Sequence, residues 1–197
     1  MIELYAITDD PAPPEPPLVA VHGEGLTALC APAERREMTA EVLWHHEEVI
    51  EALMRERDLL PVRFGTLVED EAAAQRALDE RHDELVSRLD RVRGAVELAV
   101  RANRRDSDGG QFFRSGAEYM QAKARQAEAA GLLHDPLAYL ARDSVVRQGP
   151  ELLRAAYLVD RDAVEGFVEL VKRLEANLED VHVLCTGPWP PYSFTET

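Results

Sequence analysis

The sequence predicts an α+β protein of two small α+β domains, the second resembling a ferredoxin-like sandwich with an added helix. Segments of strand-like alternation and segments with a helical apolar stripe succeed each other along the chain of 197 residues. Several connections are too short for the crossovers of parallel strands, so mixed or antiparallel sheets are expected. Residues 1–92 hold 9 Lys/Arg and 21 Asp/Glu, a net of −12, whereas residues 93–197 hold 13 and 16, a net of −3. We therefore expect an N-terminal domain at 1–93 and a C-terminal domain at 94–197.

The overall charge of −15 argues against nucleic acid and against anionic lipid membranes as partners, since both require a basic surface. The N-terminus lacks a basic region followed by an apolar run, so no secretory signal is predicted. Cys30 and Cys185 form neither a disulfide framework nor a zinc knuckle. We expect a cytoplasmic protein with two buried thiols.

The first domain should contain strands with alternating apolar residues and two helices with apolar stripes. The strands are expected at Ile2–Thr8, Leu18–Val21, Gly25–Cys30 and Leu60–Thr66. The helices are expected at Ala40–Asp58, capped by Thr39, and from Asp70 or Glu71 to Gly94. Residues 9–17 are a loop, because five of the nine are proline.

The second domain should begin with a strand at Ala95–Arg101, and the polar loop Asn103–Gly110 is the expected hinge between the domains. Helices are expected at Phe113–Leu133, at Asp135–Gln148 because Asp135-Pro136 is typical of a helix start, and after Asp160 or Asp162. Further strands are expected at Leu153–Val159 and Val181–Cys185.

The chain ends in a segment that is rich in both proline and aromatic residues. Pro188, Pro190 and Pro191 exclude a helix and a central strand. Trp189, Tyr192 and Phe194 supply more ring surface than a solvated tail would use. We expect a semi-rigid strap in a groove between the domains, the alternative being a disordered Pro-rich end.

One cluster has the residue types of a metal site, His45-His46-Glu47-Glu48, which His22 or His82 could complete. Adjacent helical residues diverge by about 100°, and zinc helices space their ligands four apart, so a packed histidine at His46 is favoured over a metal ligand. No nucleophile elbow or phosphate-binding loop occurs, and no enzyme is specified.

Arg63 lies between Val62 and Phe64 in an expected buried strand, where a guanidinium needs a partner. An internal ion pair with Glu47 or Glu97 is favoured over anion binding. We expect Arg63 and His46 to form a buried polar contact.

These residues resemble the GvpF/GvpL family of gas vesicle proteins. The similarity is carried by five blocks, namely Leu4–Ile7, Leu43–Leu53, Leu60–Thr66, Ala155–Asp162 and Thr186–Phe194. They span nearly the whole chain in the expected order. One departure is the segment between Tyr119 and Ala155, which is shorter than the family pattern implies.

The resemblance implies a non-enzymatic accessory or minor structural protein of the gas vesicle, without a cofactor. Its implied partners are the hydrophobic shell protein GvpA and other accessory proteins, which it would assist in vesicle assembly or nucleation. The alternatives are a metalloprotein built on His45 and His46, or a ligand-binding ferredoxin-like protein unrelated to gas vesicles, which would rest on analogy of fold alone.

Overall fold

The computed structural model describes residues 1–33, 39–104, 115–178 and 180–195. The chain divides into two compact units. Unit 1 comprises Met1–Gly94 together with Pro190–Thr197, and unit 2 comprises Ala95–Trp189. Each unit combines an antiparallel sheet with helices, which confirms the α+β class. No described helix is long and apolar enough to cross a membrane.

Unit 1 is built on a sheet with the order β2-β3-β1-β4, in which β5 also pairs with β1. The strands are β1 (Ile2–Thr8), β2 (Val19–His22), β3 (Thr27–Pro32), β4 (Leu60–Pro61) and β5 (Leu67–Val68). Ala6 of β1 pairs with Leu29 of β3, and both residues are fully buried.

Three helices complete unit 1, and they are α1 (Ala40–Glu56), α2 (Glu71–Glu80) and α3 (His82–Val92). Thr39 and Asp70 cap α1 and α2 by accepting hydrogen bonds from the backbone three residues on. The sequence predicts one helix from Asp70 to Gly94, but the helix breaks at Arg81. Neither glycine nor proline marks this break, so the apolar pattern alone could not reveal it.

The strand predicted at Leu60–Thr66 is interrupted. On one side Leu60 pairs with Ile7 of β1, and on the other Leu67 pairs with Glu3. Residues 62–66 form a bulge loop between these pairs. The Val62 N–H donates to Tyr5 O (2.8 Å) and the Leu4 N–H donates to Thr66 O (3.0 Å), which closes the loop at both ends.

Unit 2 contains β6 (Ala95–Arg104), α4 (Gly116–Leu140), β7 (Asp143–Val146), β8 (Leu153–Asp160), α5 (Val164–Ala176) and β9 (Val181–Trp189). The sheet order is β7-β8-β6-β9 with antiparallel neighbours, which is a ferredoxin-like βαββαβ arrangement. The sequence predicts a ferredoxin-like unit, but with two helices before its second strand, so β7 is missed and the added helix is wrong. Its core includes Leu98, Val100, Leu133, Leu137, Tyr157 and Phe167.

The helix predicted at Asp135–Gln148 is wrong. Instead, α4 continues through Pro136 to Leu140, because Leu133 and Leu137 are one turn apart and are both fully buried. The following residues form β7, in which Val145 pairs with Ala156 of β8. The expected hinge loop falls mostly on residues 105–110, and the expected helix start at Phe113 also lies outside the described residues.

The last strand is longer than the predicted Val181–Cys185. It continues to Trp189 because β9 pairs with β6 at the edge of the sheet formed by the described strands, and an edge tolerates Pro188. The register with β6 shifts before Glu97 pairs with Trp189. At the shift Gly187 has φ +121°, and a Cβ there would meet the Glu97 carbonyl oxygen at 2.7 Å.

Candidate binding site

His46 packs α1 against the bulge loop of unit 1. Its side chain is 1% exposed, its ring stacks on Tyr5 with a centroid distance of 4.6 Å, and it meets Phe64 edge-on at 5.4 Å. Its Nε2 lies 2.9 Å from Val62 O. Because a carbonyl only accepts, Nε2 carries the proton of this hydrogen bond. The contact fixes the first residue of the bulge loop to α1.

Glu3 holds the other side of the same loop. Its Oε1 accepts a hydrogen bond from the Gly65 N–H at 3.1 Å and lies 3.5 Å from His46 Nδ1. That nitrogen is buried and makes no hydrogen bond to any described residue, Glu3 included. The loop is therefore held by one histidine and one carboxylate, with Gly65 at φ +79° permitting its turn.

An open pocket of about 340 Å³ lies beside the loop, lined by Leu43, Glu47, Arg63, Phe64 and Tyr192. The volume is within the range of small-ligand pockets. The Tyr192 hydroxyl donates to Glu47 Oε1 at 3.1 Å. Burial raises the pKa of Tyr192 and the charge of Glu47 raises it further, so the hydroxyl stays protonated and remains the donor.

The C-terminal segment 190–195 forms one wall of this pocket and is anchored in unit 1. Phe194 is 1% exposed, and the Arg91 guanidinium lies 6.0 Å from its ring centroid. The Arg88 Nη1 donates to Thr195 O at 2.7 Å. The segment ends in a short 3-10 turn, Tyr192–Phe194. The alternative of a disordered end is therefore set aside for residues 190–195, which are docked in unit 1.

The structure brings His46, Arg63 and Tyr192 to one region, but two expectations about burial are wrong. Arg63 is exposed, because the bulge loop turns it out of the sheet, and its carbonyl accepts from both Thr66 N and Oγ1. Trp189 is 40% exposed on the edge strand, where its Nε1 donates to Thr186 Oγ1 at 3.2 Å. The groove between the domains stays a prediction.

The residues of the possible metal cluster point apart. Both histidines belong to α1, but His45 is on its exposed side and His46 is on its buried side. Within the described ranges, no group of three or more His, Cys, Asp and Glu side chains is placed to hold a metal ion.

The prominent surface residue that sequence reasoning missed is Trp44. It is 70% exposed on α1, next to Leu43, which is 40% exposed at the pocket. A helical projection contained the signal, because Trp44 lies about 100° away from Leu43 and well off the buried stripe of Ile50 and Leu53.

Known proteins resemble the chain over its full length. The family model described as "Gas vesicle synthesis protein GvpL/GvpF" matches residues 4–115 and 113–196. Gas vesicle protein F of Streptomyces sp. (strain CB03234) is 30% identical over 93% of this chain and 90% of its own, and gas vesicle protein L of the same strain is 29% identical over 91% and 83%.

Solved structures show the same fold. The crystal structure of GvpF from Microcystis aeruginosa matches with a TM-score of 0.85 at 17% identity, covering 100% of this chain and 99% of that one. GvpF from Anabaena sp. PCC7120 matches with a TM-score of 0.81 at 20% identity, covering 100% and 98%. Since the family model spans both units, the chain belongs to the GvpL/GvpF family of gas vesicle synthesis proteins.

Proposed function

We propose that this protein binds the hydrophobic gas vesicle shell protein, GvpA, and holds it during the assembly or nucleation of the vesicle. The role is one of binding rather than catalysis, and the protein acts in association with gas vesicles and their other accessory proteins. The observation that carries the proposal is the match of the GvpL/GvpF family model to residues 4–115 and 113–196.

The surface of unit 1 supports a binding role. Leu43 and Trp44 are exposed beside a pocket whose wall includes the aromatic rings of Phe64 and Tyr192. Exposed apolar surface next to a pocket is typical of protein-interaction sites. A hydrophobic subunit could cover this surface with its own apolar side chains.

The charge of the chain supports the second part of the proposal. Because the chain has a net charge of −15, copies of the protein repel each other strongly. A complex with a hydrophobic subunit would retain most of that charge, so the acidic protein would keep an aggregation-prone partner dispersed until it is incorporated.

Co-expression of the tagged full chain with GvpA tests the proposal. The expected result is that GvpA stays in the supernatant and co-purifies with the tagged chain. An unrelated tagged protein of similar size and net charge is the control, because it separates specific binding from a general effect of acidity. GvpA that pellets equally with both proteins, and co-purifies with neither, would overturn the proposal.

A second candidate follows from the pocket, which is large enough for a small ligand. A thermal-shift screen against metabolites tests this candidate, because a ligand that binds the folded state raises the melting temperature. The pocket is lined by one acidic and one basic residue, Glu47 and Arg63, so zwitterionic metabolites are the first to screen.

A further inference from the structure

We propose that the surface of α1 around Trp44 recognises a basic segment of its partner, one that offers an apolar side chain to the pocket and a lysine or arginine to the face of α1. This proposal rests on the proposed function, because it names the contact by which the shell protein or another assembly partner would be bound. The surface, which we call the Trp44 face, consists of Leu43, Trp44, Glu47, Glu48 and Glu51.

Helical geometry places these five residues on one side of α1. Glu47 is four residues after Leu43, Glu48 is four after Trp44, and Glu51 is seven after Trp44. Residues three, four and seven apart are neighbours on a helix surface. Trp44 therefore lies between carboxylates, and Leu43 borders it on the side of the pocket.

The charge of α1 determines which partner fits. The helix carries five glutamates and one arginine, Arg55, so it is strongly negative on its exposed surface. The pocket lining itself is balanced by Glu47 and Arg63. The excess negative charge thus lies along the exposed side of the helix. The pocket lacks this excess, so it can accept an apolar side chain of the partner.

An exposed tryptophan between carboxylates is suited to a cationic side chain. The face of an indole attracts ammonium and guanidinium groups, and tryptophan does so better than the other aromatic residues. Carboxylates one turn away complete the charge complementarity that directs specific association. Glu47 is engaged by the Tyr192 hydroxyl, which leaves Glu48 and Glu51 as the residues to test by substitution.

The probe is a short synthetic amphipathic helix of leucine and lysine, and its counterpart carries glutamate in place of lysine. The chain has two tryptophans, so the Trp189→Phe variant reports the fluorescence of Trp44 alone. The expected result is a blue shift of the Trp44 emission with the lysine peptide, and affinity that falls as salt is added. The glutamate peptide should produce no shift.

Binding is then measured by calorimetry with matched variants. Trp44→Ala and the pair Glu48→Lys/Glu51→Lys should each weaken binding of the lysine peptide by at least roughly tenfold, as for a residue at the centre of an interface. The controls are Tyr139→Ala, which removes an aromatic ring 89% exposed on α4, and Glu80→Lys/Glu128→Lys, which makes the same change in net charge elsewhere. The proposal is overturned if the controls weaken binding as much as the α1 variants do, or if the lysine peptide does not bind.

Co-purification with GvpA separates this proposal from the proposed function. If the wild-type chain retains GvpA and Trp44→Ala loses it, both stand. If both chains retain GvpA equally, the Trp44 face is not the contact, although the proposed function stands. If the wild-type chain does not retain GvpA, the proposed function fails, and the peptide measurements alone decide whether the Trp44 face recognises basic segments.

Discussion

The sheets of the two units are held together in different ways. In unit 2, β6, β8 and β9 are 10, 8 and 9 residues long, and backbone ladders join them along most of that length. In unit 1, β4 and β5 have two residues each and are separated by a five-residue bulge loop. There the side chains of His46 and Glu3 supply the contacts that a continuous ladder would have made.

The contrast between the two sheets indicates where a binding surface can be built. A regular ladder satisfies the backbone and leaves the two faces of the sheet to packing, as in the core of unit 2. An interrupted ladder exposes a loop, and bulges are frequent next to functional sites. The cost is that unit 1 depends on contacts from distant parts of the sequence, including the C-terminal segment 190–195.

Phe194→Ala is expected to have the largest effect. Its ring is 1% exposed in unit 1, and truncation of a buried aromatic residue costs about 3–5 kcal/mol through lost burial and the cavity left behind. The free energy of unfolding, measured by urea denaturation of the full chain, should fall by that amount.

The matched comparison is Trp189→Ala, five residues earlier in the sequence and in unit 2. Trp189 is 40% exposed, so its substitution should cost less than that of Phe194, because part of the ring is already in water and no enclosed cavity is left. If both variants lost the same free energy of unfolding, the buried ring of Phe194 would stabilise unit 1 no more than the partly exposed ring of Trp189 stabilises the edge strand of unit 2.

Gly187→Ala should be the most damaging substitution among the glycines that the structure describes in unit 2. The residue has φ +121°, and an added Cβ would lie 2.7 Å from a backbone oxygen of β6, which cannot move without disturbing the ladder. Strain of this kind costs about 1–3 kcal/mol. The loss is measured as a lower midpoint of urea denaturation.

Two other glycines sharpen this test. Gly65 in the bulge loop has φ +79° but no atom within 4 Å of an added Cβ, so Gly65→Ala should cost only the backbone strain, about 1–2 kcal/mol. Gly166 on α5 has neither a positive φ nor a nearby atom, and Gly166→Ala should stabilise by about 0.5–1 kcal/mol. The loss in free energy of unfolding should be largest for Gly187→Ala, smaller for Gly65→Ala and absent for Gly166→Ala, and any other order would contradict this explanation.

Tyr192→Phe should have a smaller effect that depends on pH. At neutral pH the variant loses the hydrogen bond to Glu47, worth about 1 kcal/mol. Because burial raises the pKa of Tyr192, the folded state binds the phenolic proton more tightly than the unfolded state. This contribution is complete below pH ~10, the ordinary pKa of tyrosine, and is lost as the pH rises above it.

The variant should therefore lose stability less steeply than the wild-type chain in urea denaturations between pH 9 and 11 (a range of about one unit on either side of the ordinary pKa). Tyr157 is the counterpart in unit 2, where burial also raises its pKa and its hydroxyl lies 2.9 Å from His134 Nδ1. If Tyr192→Phe follows the wild-type profile while Tyr157→Phe does not, the docked C-terminal segment contributes nothing to the alkaline behaviour.

Much of this fold could be predicted from local sequence patterns. Alternation identified β1 and a nearly continuous apolar run identified β8. The stripe of Ile50, Leu53 and Met54 identified α1, and Thr39 marked its start. The family could also be identified, because the Leu43–Leu53 and Leu60–Thr66 blocks, which supply four residues that line the candidate pocket, resemble it. These signals are local, and each is a direct consequence of which face of an element is buried.

The features that the sequence did not predict depend on contacts between residues that are distant along the chain. Leu60–Thr66 has the alternation of a strand, but pairing with β1 at both ends leaves residues 62–66 to bulge, which turned Arg63 outward. Asp135-Pro136 is typical of a helix start, yet the burial of Leu133 and Leu137 on one core carries α4 through it. Prolines of β9 are tolerated only because the strand lies at an edge, and strand order cannot be read from the strand itself.

The reactivity of the two cysteines offers the mildest test of the comparison, because it is measured without denaturant. Cys30 lies on β3, between β2 and β1, and is fully buried; burial, with a smaller effect of Glu71, raises the pKa of its thiol to about 11. Cys185 lies on the edge strand β9 and is partly exposed, although burial raises its pKa as well. The thiolate is the reactive form, so both should react slowly at neutral pH, and Cys30 more slowly.

The rates are measured with an alkylating reagent on Cys30→Ala and Cys185→Ala, so that each variant reports one thiol. Cys185 should be modified first, and Cys30 only as fast as unit 1 opens, because an interior strand is reached through local unfolding. This makes the rate at Cys30 a measure of how firmly the bulge loop and the C-terminal segment close unit 1. Combining Cys185→Ala with Phe194→Ala should then accelerate the modification of Cys30, whereas combining it with Trp189→Ala should not. An identical rate in both combinations would mean that the sheet of unit 1 holds β3 without help from the C-terminal segment.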